Sequence, residues 1–166
     1  MLARLRPWAV LALVVGFGQM ALGGWVSTNY VALTCTDFPT CHGTLAPPAD
    51  YAHGFHVRRE LGMSPEGAPL SNEALNAIHW THCLGAILTL LLVGGRASVA
   101  LRLERARPFA LLVLIALAAQ IAIGMSNVVF LVPLWLAVAH NAGGAFLLIS
   151  LLMLNFHLSH RHASHP

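Results

Sequence analysis

The sequence predicts an all-α membrane protein, a four-transmembrane-helix bundle with a long extracytoplasmic loop between helices 1 and 2. Hydrophobic residues make up 57% of the 166 and charged residues only 9%, with a mean hydropathy of +0.71, outside the range of a water-soluble domain. Four apolar stretches are each long enough to cross a hydrocarbon core of roughly 30 Å at about 1.5 Å per residue. Backbone polar groups in lipid must bond internally, so these stretches are helices.

The first helix is expected over about residues 8–28, directly after Arg4 and Arg6. A cleaved leader ending at Ala21-Leu22-Gly23 is the alternative, but the run stays apolar through Val26 and removal would leave three spans. The second helix is expected over about 74–99, and Ser71-Asn72-Glu73 ahead of it offers an N-cap with an acidic first turn. The third and fourth are expected over about 108–130 and 133–156, with Pro133 suited to a first helical turn. All nine basic residues are arginine, and Arg4, Arg6, Arg96, Arg102, Arg105 and Arg107 lie at one set of helix ends, with Arg161 after the fourth span in agreement. The positive-inside rule makes those ends cytoplasmic and places both termini on that side, and arginine in place of lysine throughout points to a bacterial cytoplasmic (inner) membrane. The pI near 9.1 therefore reports topology, and no nucleic-acid partner is implied.

The outer loop, residues 29–73, carries Pro47, Pro48, Asp37, Asp50, Glu60 and Glu66, and is far longer than a helix connection requires. Within it Cys35 and Cys41 flank five residues, and a disulfide between them is expected in an oxidising compartment. The pair is either a structural staple or a redox-active couple, and nothing beside it lowers a thiol pKa. Cys83, in a helix, reads as a small buried hydrophobe. A faint internal repeat is also present: Gln19-Met-Ala-Leu-Gly23 resembles Gln120-Ile-Ala-Ile-Gly124, and each copy leads into a histidine-bearing helix. Two related helix pairs make a bundle with pseudo-twofold symmetry.

Strongly polar residues within a span are costly and are functional candidates by default. Here they are Gln19, His79, His82, Gln120, Asn127, His140 and Asn141. His82 and His140 are each expected one to two turns below the outer surface, on different helices, where two imidazoles can grip one iron from opposite sides. A closed zinc site wants four ligands, whereas a low-spin heme needs two axial imidazoles and a flat apolar slot. Hydrogen-bonded packing histidines and a proton relay or quinone contact stand as alternatives. His79, one turn before His82, is a further candidate as ligand, propionate contact or substrate contact. The loop histidines His42, His53 and His56 and the tail histidines His157, His160, His162 and His165 read as solvated.

Several segments carry a family resemblance: Gly23-Gly-Trp-Val-Ser-Thr-Asn-Tyr30, Cys35-Thr-Asp-Phe-Pro-Thr-Cys-His-Gly43, Ala77-Ile-His-Trp-Thr-His82, Ser126-Asn-Val-Val-Phe130 with Pro133-Leu-Trp135, and Ala139-His-Asn141. In this order they resemble the C-terminal half of the heme A synthase family. The resemblance implies an enzyme of two related four-helix bundles that oxidises the C8 methyl of heme O to the formyl of heme A for terminal oxidase assembly, with water as oxygen donor. It implies that the C-terminal bundle binds a heme b cofactor through axial ligands that map to His82 and His140, and that the loop pair maps to Cys35 and Cys41. Heme O and heme A would be substrate and product, heme O synthase a neighbour, and a second four-helix half or a second copy a partner within the lipid. Gln19 and Gln120 would be packing or propionate contacts. Two departures bear on this expectation: the substrate-heme half has no counterpart in these residues, and Cys83 stands where an arginine usually follows the histidine. The alternative function is a stand-alone b-type electron carrier, or a thiol-quinone oxidoreductase working through Cys35 and Cys41.

Overall fold

The computed structural model describes residues 2–37 and 40–159. Pro39, His160, Arg161, His162 and His165 lie outside the described residues, as do the side chains of Arg4 and Arg6. The elements are α1 (Leu2–Thr28), a short 3-10 turn (Val31–Leu33), α2 (Tyr51–Gly54), α3 (Asn72–Thr89), a π turn (Leu90–Gly94), α4 (Gly95–Ala100), α5 (Arg107–Val129) and α6 (Leu134–Ser159). Four helices are long and apolar enough to cross a membrane, the second being the continuous run Asn72–Ala100, and no strand occurs among the described residues. The protein is an all-α, multi-pass membrane bundle.

Local chemistry sets the helix ends. Ser71 caps α3 by accepting a hydrogen bond from the Ala74 amide at 3.2 Å, and Glu73 sits in the first turn. Pro133 lies immediately before α6 rather than in its first turn, its carbonyl accepting from the Leu136 and Ala137 amides at 2.9 and 3.1 Å. Helix α1 begins at Leu2, earlier than residue 8, because the arginines before the apolar run are good helix formers.

Helix α1 packs on α3 and α6, α5 packs on α6, and the π turn with α4 closes onto α5. Away from the loop the four spans meet in a core that includes Ala12, Val93, Ala97, Val113, Leu117 and Leu151. Small alanines bring the backbones close, as membrane helices require where lipid gives no hydrophobic drive between them. A second, smaller cluster of Val31, Leu70, Ala74 and Ile78 seals the bundle beneath the loop. His82 follows Ile78 and precedes Val93 along the second span, so it lies between the two clusters.

Buried polar side chains bind the loop to the helices. Asn29, 1% exposed, donates to the Trp25 carbonyl at 2.9 Å and accepts from the Gly62 amide at 3.2 Å. Asn76 on α3 donates to the Pro48 carbonyl at 3.1 Å, and Trp25 Nε1 to the Gly54 carbonyl at 3.0 Å. Arg59 lies over the Trp25 ring, 5.6 Å from its centroid, and donates to the Met63 carbonyl at 2.8 Å. Gly54 is required where it stands, because a Cβ there would lie 2.8 Å from the Ala74 carbonyl oxygen.

Cys35 and Cys41 form a disulfide, and both are nearly fully buried. Asp37 organises the segment it closes: the Thr40 hydroxyl and the Gly43 and His42 amides all donate to its carboxylate. Those bonds, Thr40 first and Gly43 next, lower the Asp37 pKa to about 2. His42 and Gly43 both adopt positive φ, 54° and 73°, forming the tight turn that returns Thr44 to Cys41.

Candidate functional site

The internal repeat becomes a repeated packing unit. In the first copy Gln19 on α1 sends its Nε2 to both the Nδ1 and the carbonyl oxygen of His82 on α3, each at 3.1 Å. In the second, Gln120 on α5 sends its Nε2 to the carbonyl oxygen of His140 on α6 at 2.8 Å. Each unit carries two glycines whose missing side chains make room for it. A Cβ on Gly23 would stand 3.4 Å from His82 Cε1, and one on Gly124 would stand 3.0 Å from His140 Cε1. Gly85 and Gly143, one turn after each histidine, provide the space that the Gln19 and Gln120 carboxamides fill. The correspondence reaches the helix ends, where Tyr30 after α1 and Leu131 after α5 both adopt a left-handed backbone, φ 59° and 55°.

Both histidines are partly buried. The polar bookkeeping around the two units is incomplete. His140 Nδ1, His79 Nδ1, Gln19 Oε1, Gln120 Oε1 and Asn127 Oδ1 are buried with no hydrogen-bond partner. Buried groups of this kind are rare in folded proteins and concentrate where a ligand completes the site. Among the described residues no three His, Cys, Asp or Glu side chains gather around a single point. The two imidazoles stand on separate helices, and the backbone carbonyl of each histidine accepts from a glutamine amide.

Residues 1–152 match the COX15-CtaA family model, described as cytochrome oxidase assembly protein. The chain belongs to that family. Among curated relatives, a heme A synthase of Shewanella oneidensis is 39% identical over 163 residues, covering 96% of this chain and 48% of that protein. A heme A synthase of Methylobacterium radiotolerans is 33% identical over 142 residues, 84% of this chain and 36% of that protein, and one of a Caulobacter species is 31% identical over 146, 86% and 39%. The chain thus spans about half the length, or less, of the curated relatives it matches. No solved structure matches.

In this chain the remaining candidates fall around the two units. His79 lies one turn before His82 on α3, with its Nδ1 buried and without a hydrogen-bond partner. Cys83, next to His82, is a free thiol and only partly buried, not fully enclosed. His53 pairs with Asp50 at 2.6 Å on the exposed loop, and His157 stacks on Phe109 with centroids 3.8 Å apart. Two contributors escape a reading of the sequence alone. The glycine beds at Gly85 and Gly143 lie exactly three residues after the histidines, a signal present but indistinguishable from ordinary small-residue packing. Arg96 reads as a topology residue although it falls within the second span, where its charge is itself the signal.

Proposed function

We propose that this chain is the heme-binding half of a heme A synthase-like enzyme, with His82 and His140 as the axial ligands of a heme b. The observation that carries the proposal is the duplicated unit of glutamine, histidine and two glycines, which presents two imidazoles from two helices and leaves polar atoms without partners beside them. When bound, heme supplies one-electron chemistry at its iron. The chain's own part is to hold and orient the ligands.

Ligation through Nε2 requires the proton on Nδ1. In the observed arrangement the Gln19 amide nitrogen faces His82 Nδ1, which suits the opposite tautomer. Offering the unpartnered Oε1 to an Nδ1–H requires Gln19 to shift as well as turn, because a turn in place would set Oε1 against the His82 carbonyl that Nε2 now bonds. At His140 the Gln120 amide bonds only the carbonyl, and the buried Nδ1 has no partner that fixes its tautomer. His140 thus fits a heme ligand as it stands, and His82 fits one once the Gln19 carboxamide shifts.

On this reading the oxidation of heme O to heme A needs a second four-helix unit to hold the substrate heme, within a longer chain, from another subunit or from a second copy. The loop and its disulfide face the extracytoplasmic side of a bacterial inner membrane. Burial of both disulfide cysteines to 2% and 1% exposure supports a staple, since an attacking thiol has no approach.

The test is the reduced-minus-oxidised visible spectrum and heme stoichiometry of the purified chain beside His82→Ala and His140→Ala. One low-spin heme per chain, absent from both variants, is expected. A folded chain that carries no heme, or a variant that keeps it, overturns the assignment.

A further inference from the structure

Arg96 occupies the first turn of α4, directly after the π turn. It is 7% exposed, and its Nε, Nη1 and Nη2 are all shielded with no hydrogen-bond partner. A guanidinium cannot shed its charge and has five donors to satisfy, so in an apolar bundle it requires an anion. Among the described residues no carboxylate pairs with it. The acidic residue of the neighbouring turn, Glu104, is exposed, as are Arg102, Arg105 and Arg107 on the same turn. Arg96 lines a cavity of about 280 Å³ with Trp8, Leu91, Leu92, Gly95 and Val99. Trp8, Leu91 and Val99 are 57%, 66% and 45% exposed, which puts the cavity on the outer, lipid-facing side of the bundle. Gly95 leaves it open, because a Cβ there would meet nothing within 4 Å.

We infer that this cavity is a phosphate site, in which Arg96 binds the phosphodiester of an anionic phospholipid whose acyl chains lie along Leu91, Leu92 and Val99. Three properties favour a lipid over other anions. The guanidinium fork matches two phosphate oxygens. Arg96 precedes the end of α4 by four residues, roughly 6 Å, which is headgroup rather than mid-bilayer depth. The exposed indole of Trp8 suits the membrane interface, and the surrounding arginines raise the local concentration of anionic lipid. The inference stands apart from the heme reading, since none of these residues touches the histidine units.

The experiment is thermal unfolding of the full chain in nonionic detergent with added phosphatidylglycerol, phosphatidylcholine or sodium phosphate. Phosphatidylglycerol is expected to raise the Tm by about 4 °C, with phosphatidylcholine inert. Arg96→Met should abolish the shift, Arg96→Lys should reduce it, and Arg102→Gln should retain it. Because Arg96→Met removes an uncompensated charge, its Tm without lipid should equal or exceed that of the parent, which separates loss of binding from misfolding. If sodium phosphate alone reproduces the Arg96-dependent shift, the lipid assignment falls and the site takes free phosphate. Equal shifts in parent and Arg96→Met, or no preference for phosphatidylglycerol, overturn the site altogether.

Discussion

The pair α1/α3 and the pair α5/α6 carry the same glutamine, histidine and glycine unit, yet their surroundings differ. The first pair is joined by residues 29–71, folded and stapled over its end, whereas the second is joined by residues 130–133 alone. The first unit is also the more fully bonded, since Gln19 reaches both ring and carbonyl of His82 while Gln120 reaches only the carbonyl of His140. The glycine facing its ring is also less tightly approached, since a Cβ on Gly23 would stand 3.4 Å from His82 Cε1 against 3.0 Å from Gly124 to His140 Cε1. One imidazole is thus held by hydrogen bonds and the other by steric fit. A duplicated unit can keep its geometry while the force that maintains it changes.

The largest difference between the pairs should come from the loop. Replacing Cys35 and Cys41 by serine should cost roughly 2.5 kcal/mol of stability in the chain-entropy view. Hydrogen exchange should localise the loss to the loop and the α1/α3 ends, with α5/α6 protection unchanged; a uniform loss would show that the loop supports both pairs. Gln19→Leu removes two hydrogen bonds and should cost about 2 kcal/mol, against about 1 kcal/mol for Gln120→Leu. Denaturation of the two variants in detergent would measure this, and equal costs would remove the asymmetry. Packing should show the reverse order. Gly124→Ala should cost about 1 kcal/mol through pressure on the His140 ring, while Gly23→Ala, at ordinary contact distance, should be close to neutral. Histidine side-chain NMR on the two variants would test whether only the His140 ring moves.

The smallest effect is one of pH. The Asp37 carboxyl titrates near 3.8 when unfolded and at about 2 when folded. Its contribution is therefore complete above about pH 4 and fades as the pH falls toward 2. The melting temperatures of the parent and Asp37→Asn should differ at pH 5 and converge by pH 2, and a constant gap would show that the bonds from Thr40 and Gly43 do not depend on the charge.

The four spans were legible because hydropathy over some twenty residues is a local property, and so was the Ser71 cap, where side chain and amide are three residues apart. The repeat was visible at Gln19 and Gln120, which read as packing or propionate contacts. That each glutamine grips the histidine of its own pair could not be read, because it joins residues 63 and 20 positions apart on different helices. The same holds for Asn29, Asn76 and Arg59, whose partners are set by how the loop folds back and not by any period in the chain. The π turn was missed because Leu90 to Gly94 has the composition of an uninterrupted span.

That turn has a consequence for the whole second span. A π turn spends about one residue more than an α turn, which rotates everything after it by roughly 100° about the helix axis. His82 before it and Ala97 after it are thereby set on faces that ordinary helical phase would not relate. Deleting one residue between Leu90 and Gly94 would restore that phase, swing Ala97 and Ala100 off their core contacts and carry Arg96 out of its cavity, while the histidine end stayed where it is. The extra residue acts as a clutch: it lets one continuous helix satisfy two unrelated angular demands at its two ends.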